Sequence, residues 1–155
     1  MRRLLKLKAD GDAVLVKYDE LDGEDDGDTV TLESSDPPLP ALREALQAMA
    51  EHMVAICELP ARWTEEIRIV GVTVTYSDDA RGLVITGLRR LQGHAAPLVL
   101  NSPHATDAEA EKGAYTLGCG LALDELEEEV WRYVQGERAQ LQLELEPAVA
   151  VAAAN

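Results

Sequence analysis

An acidic stretch of this chain has oxygen-bearing side chains at the spacing of a calcium-binding loop. The first, third, fifth, sixth and twelfth positions of a D-x-[DN]-x-[DN]-G-x5-E pattern hold Asp22, Glu24, Asp26, Gly27 and Glu33. Alternate carboxylates and a glycine at the sharp turn are what calcium coordination needs. The flanking residues have the composition of strands instead of helices, and Thr29 is not the apolar residue expected at position eight. We therefore interpret Leu21–Asp28 as a solvated hairpin loop and predict that it binds no metal.

Two adjacent arginines, Arg89 and Arg90, are unusual in so acidic a chain. Neighbours in a strand point to opposite faces, so one of the two could bind an anion or a carboxylate of a partner. A salt bridge to a nearby acidic helix of the same chain is the preferred interpretation.

The third candidate is the sequence Asn101-Ser102-Pro103-His104, which follows an apolar run. Loops after strands often carry binding groups, and histidine titrates near neutral pH. Asn101 and His104 are therefore candidate binding residues, although a capping or turn role is preferred.

The chain has no recognisable catalytic signature. His52 and Cys57 are five residues apart on a predicted helix, which is poor spacing for shared metal ligation. The sequence contains no Walker loop, GxGxxG or HExxH. We predict no catalytic residue, no metal and no cofactor, so the protein is expected not to be an enzyme.

Composition restricts the class of partner. The 155 residues are 46% hydrophobic and carry a net charge of −15, which opposes attraction to nucleic acid or anionic lipid and favours a basic partner. Cys57 and Cys119 fit a reducing compartment, with Cys57 as a small buried hydrophobe. The apolar run at the basic N-terminus is too short and too interrupted by lysine for a signal peptide, and no run is long enough for a membrane span. We predict a cytoplasmic protein.

The predicted centre of the fold is an antiparallel meander within Glu66–His104. Its strands are the apolar, β-rich runs Ile67–Tyr76, Gly82–Leu91 and Pro97–Asn101. Three earlier strands are predicted at Arg2–Ala9, Ala13–Asp19 and Thr29–Ser34, with the first two joined at Asp10-Gly11.

Two helices are predicted to cover the sheet. The first runs from Pro40 to about Glu58, and its apolar stripe consists of Leu42, Leu46, Met49, Met53 and Ile56.

The second helix runs from about Leu117 to Gln135, although Gly118 and Gly120 make its first turn doubtful. Glu127–Glu129 are expected to be solvated, with Glu128 paired to Arg132. The preceding Ala105–Ala114 is expected to be a mobile loop. The prediction is one α+β domain over residues 1–146, with a mostly antiparallel sheet of about six strands and two main helices packed on it.

The cleanest strand pattern is Gln140–Glu146, where Leu141, Leu143 and Leu145 share one face. Such a strand pairs with an open edge of its own sheet or with a second copy of the chain. A homodimer is the preferred interpretation, because the apolar residues of Pro147–Asn155 would extend that contact. This Ala-rich tail is otherwise expected to be disordered.

Four stretches of the chain are distinctive: HMVAICELPARW, IRIVGVTVTYSDDARGLVITGLRRL, APLVLNSPH and EEEVWRYVQGERAQ. Together they resemble a family of small phage- and prophage-encoded proteins of unassigned function, and the similarity covers about Val30 to Gln140. The resemblance implies an accessory role in phage DNA metabolism or host takeover. It assigns no catalytic residue, and the Ala-rich tail departs from the pattern.

Three functions are compatible with these observations. The preferred one is a non-enzymatic phage accessory protein that acts through protein contacts, for example as an acidic mimic of nucleic acid in the basic cleft of a DNA-binding protein. The alternative is a nucleic-acid-binding accessory protein of phage replication or recombination, which would use the sheet face and Arg89 or Arg90. Basic residues that also cluster near the N-terminus are Arg2, Arg3, Lys6 and Lys8. An enzyme of unrecognised type ranks last.

Overall fold

The computed structural model describes residues 1–22, 25–77, 80–107 and 115–139. They form an antiparallel sheet with helices packed on one face, which confirms the predicted α+β class. The elements in chain order are β1 Arg2–Asp10, β2 Ala13–Asp22, β3 Asp25–Ser34, α1 Pro40–Gln47, α2 Ala50–Ile56, a 3₁₀ helix Ala61–Glu65, β4 Ile67–Ser77, β5 Ala80–Arg89, β6 Leu98–Asn101, β7 Ala105–Thr106 and α3 Leu117–Val134. The strand order is β3-β2-β1-β4-β5-β6, and β7 also pairs with β5.

The first three strands form a meander at one side of the sheet. Gly11 has a φ of 61° in the predicted β1–β2 turn, a conformation that glycine adopts without steric cost. The prediction of a loop over Leu21–Asp28 is wrong, because β2 and β3 remain paired as far as Asp22, which lies opposite Asp25. Only residues 23–24 connect the strands, and they lie outside the described part of the chain.

This pairing separates the residues of the calcium pattern. Glu33 lies opposite Leu15, eight residues along β3 from Asp25, or roughly 26 Å at the usual strand rise. Glu24, at the third position, lies outside the described residues. The first and twelfth positions are therefore too far apart to share an ion.

The predicted central meander is confirmed as β4, β5 and β6. The register shifts between Ile69 and Gly71, where Val70 forms a bulge. Gly87 lies opposite Ile69 beneath the helical layer, and a side chain there would meet Ile67. This close approach explains a glycine in the middle of a buried strand.

The predicted first helix is present as two segments. It begins at Pro40 as expected, but α1 ends at Gln47 and α2 begins at Ala50. Gln47 turns towards the sheet, where its Nε2 donates to Ile67 O over 2.8 Å and its Oε1 accepts from Ile69 N over 3.0 Å. These two bonds join the helix end to the start of β4.

The first turn of α3 is intact despite its two glycines. Thr116 caps it, since its Oγ1 accepts from Cys119 N over 3.1 Å. The expectation that Glu127–Glu129 are solvated is wrong for Glu127 and Glu129, which are half-buried because they flank the buried stripe. Arg132 pairs with Glu129 over 3.2 Å instead of the predicted Glu128.

One hydrophobic core joins the inner face of the sheet to the helices, and it contains buried residues from β1, β2, β4, β5 and all three α-helices. Within the described residues, none of the helices has both the length and the hydropathy of a membrane span. The expected loop Ala105–Ala114 begins as β7, and its residues 108–114 lie outside the described chain, as do the predicted strand Gln140–Glu146 and the tail.

Candidate functional site

An open acidic cleft of about 650 Å³ lies between the α1–α2 pair and the 3₁₀ helix. Its charged lining consists of three glutamates, Glu44, Glu51 and Glu65. All three are exposed, and no arginine or lysine lines the cleft. We refer to these residues and the space between them as the acidic cleft.

Local structure explains why the acidic cleft points outwards. Glu44 and Glu51 are seven residues apart, about two helical turns, so they share one side of the helical pair. The opposite side of the same pair carries the buried stripe that contains Leu42, Leu46 and Met53. Burial of that stripe therefore forces the two carboxylates into solvent.

The carboxylates of the acidic cleft have few partners in the described chain. Glu44 and Glu65 form no ion pair with any described residue, and Glu51 contacts only His52, with Oε1 3.3 Å from Nε2. By contrast, Glu66 just beyond the cleft is bound to Arg89. The cleft thus has three carboxylates and no internal cation, which suits a positively charged ligand.

The predicted candidates Arg89 and Arg90 line a second open cleft, of about 670 Å³, together with Glu66. The guanidinium of Arg89 lies 3.9 Å from the ring centroid of Trp63, and its Nη2 is 2.9 Å from Glu66 Oε2. The preferred interpretation of an intramolecular salt bridge is thus confirmed for Arg89, whose partner lies at the end of the 3₁₀ helix. Arg90 is exposed and makes no ion pair with the described residues.

The candidates Asn101 and His104 make contacts within the sheet. Asn101 Oδ1 accepts from Thr86 Oγ1 over 2.7 Å, and His104 Nε2 lies 2.7 Å from Thr75 Oγ1. Between them, the buried Ser102 accepts from Ile85 N through its Oγ and donates to Ile85 O through its N, both over 2.8 Å. The structure separates Asn101 and His104 from Arg89 and Arg90, which line a different surface. The motif fastens the end of β6 to β5.

A polar network that the sequence did not reveal lies between β5 and α3. Arg81 Nη1 is 2.7 Å from Asp124 Oδ1 and 3.4 Å from Glu127 Oε1. Its Nε donates to Tyr115 Oη over 3.3 Å and its Nη2 to Gly120 O over 3.1 Å. Most of the donors of Arg81 are therefore used within the chain, so the guanidinium joins two elements of the fold.

Burial changes the acidity of the groups around Arg81. It raises the pKa of Tyr76 to about 12, and the nearby Glu127 carboxylate adds to this effect. It also raises the pKa of Glu127 although the Arg81 guanidinium opposes the change, and it raises the pKa of Cys119 to about 11. Perturbed acidity often accompanies catalysis, but networks of structural ion pairs produce it too.

The outer face of the sheet carries an unpaired basic group. Lys6 lies directly opposite Lys17 across β1 and β2, and Lys8 follows on the same face of β1. All three are exposed and form no ion pair with the described residues. Like charges opposite each other destabilise a strand pair, so this arrangement has an energetic cost.

In the described chain, no group of three or more His, Cys, Asp or Glu side chains is arranged to hold a metal ion. Comparison with protein-family models, curated proteins and solved structures finds no match to this chain. The resemblance to phage proteins therefore stays a prediction.

Proposed function

We propose that this chain is a non-enzymatic phage or prophage accessory protein that acts through protein contacts in the host cytoplasm and docks a basic surface of its partner in the acidic cleft. The observation that carries the proposal is the set of three exposed carboxylates, Glu44, Glu51 and Glu65, without a lysine or arginine among them. A cation from a partner protein supplies what the cleft lacks.

Charge over the whole chain supports the same function. A net charge of −15 attracts a basic partner from a distance, whereas the cleft provides a place where the charges meet. In its most specific form, the cleft takes the place of nucleic-acid phosphates in the basic site of a DNA-binding protein. The partner is then a protein that normally binds nucleic acid at this basic site, and its binding to the acidic cleft weakens as the salt concentration rises.

The contacts of the buried polar groups support a role without catalysis. Arg81 is bound by Asp124, Glu127 and Tyr115, so Glu127, whose pKa is raised by burial, already has a cationic partner within the chain. The open space beside them, of about 350 Å³, is lined by Arg81, Tyr115 and Asp124 of this network and by the exposed apolar side chains of Leu117 and Leu121.

Binding of nucleic acid to the outer face of the sheet is the second candidate function. The observation in its favour is the group of three unpaired lysines, Lys6, Lys8 and Lys17. Single strands are usually held by aromatic stacking as well as by charge. All six aromatic side chains of this chain pack in or against the core, so that face offers no stacking platform.

Affinity capture from a bacterial lysate, with and without nuclease, tests the proposal. The bait is the full chain, and the Glu44→Gln, Glu51→Gln and Glu65→Gln triple variant is its matched control. We expect the chain to retain a basic protein after nuclease treatment and the triple variant to lose it. Capture that disappears with nuclease, or that the triple variant retains in full, would contradict the proposal.

The second candidate function predicts the opposite dependence. In that case a Lys6→Gln, Lys8→Gln and Lys17→Gln variant would lose its captured material, and nuclease would release the same material from the unmodified chain.

A further inference from the structure

The outer edge of β6 has no partner strand among the described residues. β6 ends the strand order on this side of the sheet, and it pairs with β5 alone. Ser102, directly after β6, donates its backbone N–H to Ile85 O over 2.8 Å, so its amide points towards β5. Because the amides of an antiparallel strand point alternately to its two sides, those of Val99 and Asn101 point away from β5. The backbone groups of these two residues are therefore placed to bond a further strand.

β6 also exposes apolar side chains. Val99 is 57% exposed and Leu98 is 38% exposed, and none of the four residues of β6 carries a charge. At the opposite edge of the sheet, by contrast, β3 carries the exposed carboxylates of Asp28 and Glu33. Since charged side chains on an edge strand discourage pairing with other chains, β3 is protected and β6 is open.

A cation marks one end of this edge. Arg89 lies opposite Leu98, the first residue of β6, and Arg90 follows it in the open cleft of about 670 Å³. Arg89 is held by the carboxylate of Glu66 and by the ring of Trp63. Arg90 makes no ion pair with the described residues, so its guanidinium is available to an anion.

We propose that the edge of β6 binds an extended segment of a partner protein, which pairs as an additional antiparallel strand and ends with its free carboxyl terminus beside Arg90. Antiparallel pairing brings the carboxyl end of the segment to the Leu98 end of β6, whereas parallel pairing brings its amino end there. The antiparallel arrangement places opposite charges together. Backbone bonds to Val99 and Asn101 provide affinity, and the side chains provide specificity.

The residue before β6 explains why the bound segment ends at this point. By the same alternation the backbone of Pro97 faces the open edge, and proline has no N–H to donate. The ladder of hydrogen bonds therefore stops beside Arg90, where a chain terminus needs no further backbone partner. A strand added to β6 lies roughly 10 Å from β5, a distance that an arginine side chain and a carboxylate span together.

The faces of β6 determine which side chains the segment needs. Leu100 lies opposite Gly87 beneath the helical layer, and Leu98 shares that face. Residues opposite each other across a ladder point to the same face, so apolar side chains at alternate positions of the segment cover these two leucines. The partner is thus an extended carboxyl-terminal segment with an apolar residue at every second position.

A partner protein fits this edge better than a second copy of the chain. β6 has four residues, so two copies paired there share only a short contact, and the net charge of −15 on each copy opposes their association. The three glutamates of the acidic cleft take no part in this contact, so the inference is independent of the function proposed above.

Fluorescence anisotropy with a labelled peptide of alternating valine and threonine residues tests the carboxylate contact in the full chain. The peptide carries a free carboxyl terminus or, as its control, a carboxyl-terminal amide. We expect the free acid to bind more tightly by roughly fivefold, which is the gain that one exposed ion pair provides. Arg90→Gln should abolish this difference. Lys17→Gln, which removes the same charge from an exposed position on β2, should preserve it.

The backbone contact is tested by Val99→Pro, which removes an amide that points away from β5 and leaves the bonds between β5 and β6 intact. Val99→Ala is the control, because it shortens the side chain and keeps the amide. We expect the proline variant alone to lose the peptide, with thermal unfolding that matches that of the control. No binding to the unmodified chain, equal affinity for the acid and the amide, or binding that survives Val99→Pro would overturn the proposal.

Hydrogen exchange of the unmodified chain locates the bound peptide without any substitution. The peptide should slow exchange of the Val99 and Asn101 amides and leave that of Leu100 unchanged, since the Leu100 amide already points towards β5. Protection of the first two amides without peptide, in a chain whose mass doubles in light scattering, would overturn the proposal in favour of a second copy.

Discussion

Arg81 Nη1 lies 2.7 Å from Asp124 Oδ1, and this ion pair joins β5 to α3. The same guanidinium reaches Glu127 and the hydroxyl of Tyr115. One side chain therefore holds the helix against the sheet and also compensates the charge of a half-buried carboxylate.

Removal of this guanidinium is expected to destabilise the fold. Arg81→Ala leaves Glu127, whose side chain is 19% exposed, without its cation, and we expect a loss of about 2–3 kcal/mol in the free energy of unfolding. The control is Arg43→Ala, which breaks an exposed pair with Asp12 and should cost about 0–1 kcal/mol. Urea denaturation measures both, and equal losses would show that the Arg81 network adds no particular stability.

The raised pKa of Glu127 predicts a pH dependence of stability. Burial raises that pKa above its ordinary value of 4.5, so the folded state holds the proton more tightly than the unfolded state. The resulting stabilisation is complete below pH 4.5 and is lost as pH rises through the folded pKa.

Denaturation at a series of pH values, compared with Glu127→Gln, isolates this contribution. The stability of the unmodified chain relative to the variant should fall as pH rises above 4.5. A relative stability that increases over the same range would mean that Arg81 outweighs burial and lowers the pKa.

Gly87 is expected to tolerate no side chain. A Cβ there would lie 2.5 Å from Ile67 Cγ2 and 3.1 Å from Met53 Sδ, so Gly87→Ala should cost about 1–3 kcal/mol through overpacking. Gly93→Ala is the control, because no atom lies within 4 Å of its Cβ position. Thermal unfolding that shows equal stability for the two variants would contradict the observed helix–sheet contact.

The two thiols should differ in reactivity. Cys119 is buried, and burial raises its pKa to about 11, whereas Cys57 is only half-buried, and burial raises its pKa as well. We expect a thiol reagent at neutral pH to modify Cys57 first and Cys119 only after unfolding. Peptide mapping after brief labelling checks the order, and early modification of Cys119 would contradict the burial of the α3 face.

Much of the fold follows from local patterns in the sequence. The Asp10-Gly11 turn, the helix start at Pro40 and the three strands of the central meander each depend on a few neighbouring residues. The prediction for the β2–β3 connection was wrong because its acidic and glycine residues are typical of a loop. In the structure, backbone pairing continues through them to Asp22 and Asp25.

The candidate sites were harder to predict, because their partners are distant in sequence. Arg81 is more than forty residues from Asp124, and its position beside α3 has no local signal. The acidic cleft unites Glu44 and Glu51 with Glu65 of a different element. For Arg89 the sequence predicted an intramolecular salt bridge, but it did not identify the partner Glu66, which is 23 residues away in the chain.

Binding of a labelled arginine-rich peptide, followed by fluorescence anisotropy over a range of salt concentrations, tests the role of the acidic cleft most directly. The matched control for Glu44→Gln, Glu51→Gln and Glu65→Gln is Glu125→Gln, Glu128→Gln and Glu137→Gln, which removes the same charge from exposed positions on or beyond α3. We predict that only the first variant weakens binding, by roughly tenfold, since each exposed pair contributes about 0.2–1 kcal/mol. Equal weakening by both variants would show that net charge alone attracts the peptide, and it would contradict recognition by the acidic cleft.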